Sequence, residues 1–381
     1  MRITIVIGPF YPIPPVLGGA VEKVHLLLAG AYRDAGHEVT IVSRRYAGFP
    51  DDEIVAGIRH LRVASFDRSS NLFVNLTLDL IYSLRVAAAL PSADITLTNG
   101  FFLPLVLPRR RAGKIYVQIG RYPKGQMALY WRADRLQVVS KAVGAAVARQ
   151  APRLAQKIRV IGYAIPDGHF AASGSGARER VVLYVGRIAR EKGIEVLLAA
   201  FAQLSQHLAP DVLAGWTLRV VGPHRIAEGG DGDAYLAGLQ ALAAERAIAC
   251  DFVGPIFDEQ ALTAEYRRAS VFVYPSLAET GEALGLAPLE AMAAGCAAVV
   301  SRLECFADYI EDGMTGLSFD HRGSNPAANL AAKLARLIGE PDLMRRISTA
   351  GRRAAEQFGV APIAARMLED FNTLLGARET P

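Results

Sequence analysis

Two segments of the chain place charged residues where they could hold an anion. In VVLYVGRIAREKGIEVLLAAF, an apolar run at 181–185 ends at Gly186, and Arg187 and Lys192 lie in the turn before a helix that starts near Gly193. Ligands of open α/β sheets bind at the carboxyl ends of the strands. Two cations beside a helix start would meet diphosphate oxygens with side-chain charge, and the free N–H groups of the helix would add to it. The second segment, SVFVYPSLAETGEALGLAPLEAMAAGCAAVVS, leads from a strand at 271–274 into a loop with Glu279, Gly281, Glu282 and Gly285. Amides around Gly285 and Leu286 would point at an anion on the next helix start, a placement that contributes about 0.3–1 kcal/mol per nearby charge. Pro288 suits a first helical position and Gly295 a helix end, which puts Glu290 in the first turn as an acceptor for vicinal hydroxyls. Taken alone, Glu290 reads rather as a cap of its helix and Glu282 as a solvated charge.

Other chemistry-bearing residues carry less. Asp231-Gly232-Asp233 spells a carboxylate pair, but it follows Gly229-Gly230 and precedes a helix at 234, so a loop with an N-cap aspartate is expected. No G-x-G-x-x-G follows the first strand, which argues against a dinucleotide oxidoreductase. Cys250, Cys296 and Cys305 have neither the number for a disulfide framework nor the spacing for zinc, so no metal and no cofactor are expected. His25 and His37 read as helix-face and turn residues. Arg109-Arg110-Arg111 and Lys114 follow the apolar FFLPLVLP without interleaved aromatics, so no nucleic-acid partner is expected.

These residues need a scaffold of buried strands. Short β-branched runs recur at 3–7, 39–42, 95–97, 115–117, 136–139 and 160–161, and again at 181–185, 218–221, 251–253, 271–274 and 297–300. None alternates, as suits strands covered on both faces. Helical stretches lie between them at 21–35, 72–90, 141–151, 194–207, 234–246, 258–268 and 289–294, with another at 363–375. The βαβα repetition predicts an α/β fold of two Rossmann-like, doubly wound domains. The expected boundaries are 1–165, a Gly/Ser-rich linker at 166–178, 179–360, and a C-terminal helix at 361–381 that returns to the first domain.

The chain has 381 residues, 51% of them apolar and 21% charged, with a mean hydropathy of +0.22. That suffices for full cores and excludes disorder as the main state. No uninterrupted apolar run reaches the ~18 residues that cross a bilayer, and the opening MRITIVIGPF reads as a buried strand; a cytoplasmic protein is expected. Residues 1–165 carry 22 Lys/Arg against 10 Asp/Glu, and residues 166–381 carry 20 against 27. The two halves are expected to meet different partners, the basic first half docking on an anionic surface such as the inner leaflet of the plasma membrane. Core packing is the first expectation for the apolar stretch 72–90, and insertion of its apolar face into a leaflet is the second.

Taken together, Gly186-Arg187 with Lys192-Gly193 and Glu282-x-x-Gly285-Leu286-x-x-x-Glu290-Ala-Met-Ala-x-Gly295 resemble the retaining glycosyltransferases of family 4, which have the GT-B fold. The resemblance covers residues 181–320 best, and Gly18 and Gly19 before the first helix look like the family's opening. It implies two domains facing a cleft and metal-independent sugar transfer, with retention, from a UDP- or GDP-sugar to a hydroxyl of a glycan or lipid-linked acceptor, in polysaccharide or glycolipid assembly. By resemblance Arg187 and Lys192 hold the donor diphosphate, helped by Gly18, Gly19, Gly186, Gly281, Gly285 and Leu286. Glu282 bonds the sugar, Glu290 the ribose, and the backbone at Val253 and Ile256 frames the base. The family's first-domain histidines have no counterpart here, and Asn99, Gln118, Arg121 and Lys124 are the candidates for their place. A nucleotide-sugar 2-epimerase and a catalytically inactive nucleotide-sugar-binding subunit are the rival readings.

Overall fold

The computed structural model describes residues 1–17, 19–171 and 178–376. Gly18 lies outside them, as do residues 172–177 of the expected linker; Asp167–Phe170 form a 3-10 turn. The chain divides into two compact units, Met1–Ala164 with the segment from Val360 onward, and Ile165–Gly359.

The first unit is built on an eight-stranded sheet of β1 (Arg2–Val6), β2 (Glu38–Arg44), β3 (Asp52–Val55), β4 (Ile58–Val63), β5 (Ile95–Thr98), β6 (Lys114–Ile119), β7 (Arg135–Val138) and β8 (Ile158–Val160). Its order is β3-β4-β2-β1-β5-β6-β7-β8, parallel except for the β3–β4 hairpin. That hairpin has no counterpart in the apolar pattern, because its outer strand is mostly exposed and charged. Ala56 and Gly57, both at positive φ, make the tight turn. The helices are α1 (Ala20–Asp34), α2 (Leu72–Ala89), α3 (Leu103–Val106), α4 (Arg109–Ala112) and α5 (Lys141–Gln150).

Core packing is not the fate of most of α2. Only Asp79, Tyr82, Ser83 and Val86 are buried, while Leu72, Phe73, Val74, Leu80 and Leu84 are exposed. Asp79 accepts the Phe102 N–H at 2.9 Å, so the inward face carries the polar groups. Although no apolar run in it is unbroken, α2 is long and apolar enough to cross a membrane by length and composition, with a mean hydropathy of 1.4 over its 18 residues.

The second unit holds a six-stranded parallel sheet of β9 (Glu179–Val185), β10 (Thr217–Val221), β11 (Cys250–Gly254), β12 (Ala269–Tyr274), β13 (Ala297–Ser301) and β14 (Leu317–Phe319). The order β11-β10-β9-β12-β13-β14 is the doubly wound 3-2-1-4-5-6 arrangement, which reverses direction between β9 and β12. Its helices are α6 (Ile194–Ala202), α7 (Pro210–Leu213), α8 (Asp233–Glu245), α9 (Glu259–Arg268), α10 (Leu286–Ala293), α11 (Pro326–Gly339) and α12 (Pro341–Glu356).

Two local expectations are corrected here. Helix α10 starts at Leu286 with Gly285 as its N-cap, so Pro288 is its third residue and Glu290 lies in the second turn. Proline fits there because the first four N–H groups of a helix have no partner within it. Asp233 is the first residue of α8, not its cap, which is Gly232; its carboxylate pairs with His224 at 2.9 Å, while Asp231 accepts the Arg190 N–H at 2.7 Å.

The last helix, α13 (Val360–Leu375), belongs to the first unit. Phe371 meets Tyr116 and Tyr32 edge-on at centroid distances of 4.9 and 5.8 Å. Asp370 receives the Tyr116 hydroxyl at 2.8 Å and the Arg135 guanidinium at 2.8 Å, all of them buried. Removing one partner of such a pair strands a buried charge at a cost of about 3–5 kcal/mol. Asp370→Ala is expected to lower the first unit's stability by that amount in urea unfolding, and a change under ~1 kcal/mol would show the pair to be dispensable.

Candidate functional site

In open α/β sheets ligands bind beyond the carboxyl ends of the strands where the winding reverses, and the loops that follow β9 and β12 at this reversal carry the residues at issue. The β9 loop runs through Gly186 and Arg187 into a 3-10 turn, Arg190–Lys192, then Gly193. It docks on the β12 loop, with the Leu277 N–H donating to the Glu191 carbonyl at 2.8 Å. Gly193 sits at φ 68°, and a Cβ there would lie 2.2 Å from the Pro275 carbonyl oxygen, so no other residue fits.

This docking brings Lys192 onto Glu282. Both side chains are buried, and the Lys192 ammonium donates to Glu282 Oε1. The same oxygen receives the Tyr274 hydroxyl at 3.1 Å and the Ser276 hydroxyl at 3.0 Å. With three donors gathered on Oε1, Oε2 is the oxygen left to accept from a ligand hydroxyl. The ammonium also lies 5.6 Å from the centroid of the Tyr274 ring, which stacks at 5.8 Å on Tyr184. Burial and the Glu282 carboxylate push both phenols well above their ordinary range, so they act as neutral donors.

Arg187 is half-exposed at the same end of β9 and pairs with Glu191 at 2.6 Å. Gly281 is exposed beside Glu282, on the Glu191 side of the loop. Helices α6 and α10 begin at Gly193 and Gly285, and neither glycine can offer a side-chain cap, so their first N–H groups remain available to an anion. A Cβ on Gly285, at φ 77°, would strike the Phe306 ring at 2.6 Å. Leu286, the first residue of α10, is half-buried. Glu290, farther along it, accepts the Tyr266 hydroxyl on Oε2 at 2.9 Å. Val253 and Ile256 are half-buried at the end of the edge strand β11, two strands from β9, and no bond joins them to the Lys192–Glu282 pair among the described residues. No group of three or more His, Cys, Asp or Glu among the described residues could hold a metal ion.

The first-half candidates are scattered within their own unit. Asn99 accepts the Gly8 N–H at 3.0 Å, which ties the β1 loop to the β5 loop at that sheet's reversal point. Gln118 is buried and donates to Gln137 at 3.1 Å, so its amide nitrogen is committed inside the unit. Arg121 and Lys124 are exposed. Gly19 caps α1, but a Cβ there would fall 2.2 Å from Glu22 Oε2. A carboxylate of the chain's own therefore faces the helix start that was assigned to a donor phosphate. Burial raises the Glu22 pKa.

The family model described as glycosyl transferases group 1 matches residues 167–354, the whole span of this site. These residues are what the chain shares with the group 1 glycosyl transferases. It is 32% identical over 212 residues to an alpha-maltose-1-phosphate synthase of Mycolicibacterium smegmatis (54% of this chain, 51% of that protein). It is 31% identical over 244 residues to a D-inositol 3-phosphate glycosyltransferase of Thermobispora bispora (64% of this chain, 51% of that protein). The chain thus spans about half the length of these curated relatives. Among solved structures, sucrose-phosphate synthase from Thermosynechococcus elongatus superposes with a TM-score of 0.74 at 23% identity, covering 99% of this chain and 100% of that one. HepE from Anabaena in complex with UDP gives 0.72 at 17%, covering 98% and 100%. The fold is GT-B.

In this group 1 domain, the residues that hold the two glutamates escaped the sequence reading. Tyr274, which bonds Glu282, is the last residue of β12, and Tyr184, stacked on Tyr274, is the last but one of β9; a phenol near a strand's carboxyl end was the available signal. Tyr266 and Ser276 gave none. Glu279 was noted only as a loop residue; it ties the β12 loop to His321 at 2.8 Å and Arg322 at 2.6 Å, and Arg322 above all holds its carboxyl below the ordinary range.

His25, expected on a helix face, is wholly buried on α1, and burial pulls its imidazole down to about 4 against a smaller upward pull from the Gln118 amide. The unfolded chain takes up this proton near pH 6.5 and the folded chain only near pH 4, so folding stability falls as pH drops through that window. The full effect is about 3 kcal/mol. In His25→Leu the loss of stability between pH 7 and pH 4.5, measured by urea unfolding, is expected to shrink by about 2–3 kcal/mol. An unchanged pH slope would show that His25 does not carry it.

Proposed function

We propose that this chain is a retaining, metal-independent glycosyltransferase that takes a sugar from a nucleotide-diphosphate donor. The observation that carries the reading is the buried Lys192–Glu282 pair, set between two glycine-capped helix starts at the β9/β12 reversal. Arg187, Lys192 and the N–H groups of α6 and α10 supply the positive field that a departing diphosphate needs. Glu282 Oε2 accepts from the donor sugar, and Glu290 accepts from the ribose hydroxyls through the oxygen that Tyr266 leaves open.

In the reaction so read, the bond from the anomeric carbon to the β-phosphate oxygen breaks and a bond from that carbon to the acceptor oxygen forms on the same face. The acceptor proton passes to the departing phosphate, so no side-chain base is required. Such chemistry rests on stabilising the phosphate charge, and it is compatible with the absent first-domain histidines. UDP is the first candidate for the nucleotide, supported by the UDP complex of HepE, and GDP is the second. A glycan or lipid-linked acceptor suits the basic first half.

Replacing Lys192 alone would strand a buried carboxylate, so the pair is tested together. Arg187→Ala, and Lys192→Met combined with Glu282→Gln, are expected to reduce sugar transfer by about 10²–10³-fold with melting behaviour retained. Wild-type rates in either would contradict the reading. Release of an isomerised nucleotide sugar without acceptor would favour the 2-epimerase, and nucleotide-sugar binding without turnover the inactive subunit.

A further inference from the structure

The outward face of α2 inverts the usual pattern of a surface helix, which hides its apolar side and shows its polar one. Phe73, Leu80 and Leu84 point away from the unit at helical spacing, with Phe73 79% and Leu84 52% exposed. Asp79 and Ser83, on the opposite side, are turned inward. Thr77, exposed between Phe73 and Leu80 on the same face, turns its hydroxyl back onto the Phe73 carbonyl at 3.1 Å, and an exposed, largely apolar stripe of this kind marks an interaction site.

What surrounds the stripe indicates what covers it. The Arg111 guanidinium donates to the carbonyls of Ala87, Ala88 and Leu90, which fixes the tri-arginine helix α4 against the carboxyl end of α2. Arg110 stands exposed on that helix. Next along, α3 packs on α2 and on the 3-10 turn Met127–Arg132, where Arg132 donates to the Leu107 carbonyl at 3.1 Å. That turn presents Trp131, 65% exposed, and Lys157 donates to its carbonyl at 2.9 Å. An apolar stripe, an exposed tryptophan and flanking cations are the features of a surface lying in a bilayer interface, with the indole at headgroup level and the cations on anionic lipid. The excess of Lys/Arg over Asp/Glu in residues 1–165 has the matching sign.

We infer that the first unit docks on an anionic lipid bilayer through α2, which lies in the interface plane with Phe73, Leu80 and Leu84 inserted and Trp131 and Arg110 at the headgroups. The occupant of the stripe is lipid, and the charge around it selects anionic headgroups.

Flotation of the full chain with vesicles of phosphatidylcholine, with and without phosphatidylglycerol, tests this. Binding is expected to the anionic vesicles, and much less to the neutral ones. Phe73→Glu combined with Leu84→Glu is expected to weaken it by at least about tenfold per residue, and Arg110→Glu by about fivefold or more. Met314→Glu, at an exposed apolar position in the second unit, is the control and should bind as wild type. Equal flotation with both vesicle types, none with either, or anionic binding unaffected by the Phe73/Leu84 pair would overturn the proposal. So would a dimer in light scattering that the same pair abolishes, because the stripe would then belong to a second copy of the chain.

Discussion

A lysine and a glutamate held together out of water are costly unless further hydrogen bonds complete their shells. At Lys192 and Glu282 that completion comes from Tyr274 and Ser276, whose hydroxyls join the ammonium on a single carboxylate oxygen. The arrangement needs both loops in register. The β9 loop must turn through Gly193, where only glycine clears the Pro275 carbonyl, and the β12 loop must reach Gly285, where only glycine clears Phe306. The sheet order then decides the rest, because β9 and β12 are the neighbours between which the winding reverses. A charge pair, two glycines and a topological reversal together place one buried carboxylate and two helix starts without side-chain caps in the loops that follow β9 and β12. Tyr266 holds Glu290 by one oxygen in the same way, so both carboxylates are oriented before any ligand arrives.

Much of this was legible in the chain. The unbroken β-branched runs mark the buried parallel strands because such strands are covered on both faces, and Gly186-Arg187, Lys192 and Glu282 fall in the loops of the reversal as their spacing indicates. The β3–β4 hairpin was not legible, since an exposed charged edge strand lacks an apolar run. Helices α11 and α12 and strand β14 were also missed, the last being only three residues long. The start of α10 lies two residues before the proline that signals it, because Gly285 already supplies the turn. Gln118 and Gly19 show a further limit. Sequence places both at strand or helix ends facing a site, but only coordinates reveal that one amide is spent on Gln137 and that Glu22 covers the other position.

The first unit carries constraints of its own. Its last helix returns from the end of the chain and is fastened by an ion pair and a phenol at Asp370, with Phe371 wedged between two tyrosines. Its second helix buries Asp79 and Ser83 beside Tyr82 and Val86 and leaves Leu72, Phe73, Val74, Leu80 and Leu84 outside. Buried polar groups are tolerable when satisfied, and Asp79 accepts the Phe102 amide and the Ser83 hydroxyl.

The role of the Lys192–Glu282 pair depends on where a donor's phosphates go. A crystal soaked with a nucleoside diphosphate, UDP first and GDP second, locates them directly. The account predicts diphosphate density within hydrogen-bond reach of Lys192, Arg187 and the N–H of Leu286, with Glu282 still joined to Tyr274. A nucleotide seated elsewhere, or a crevice that stays empty at saturating concentration, would contradict it.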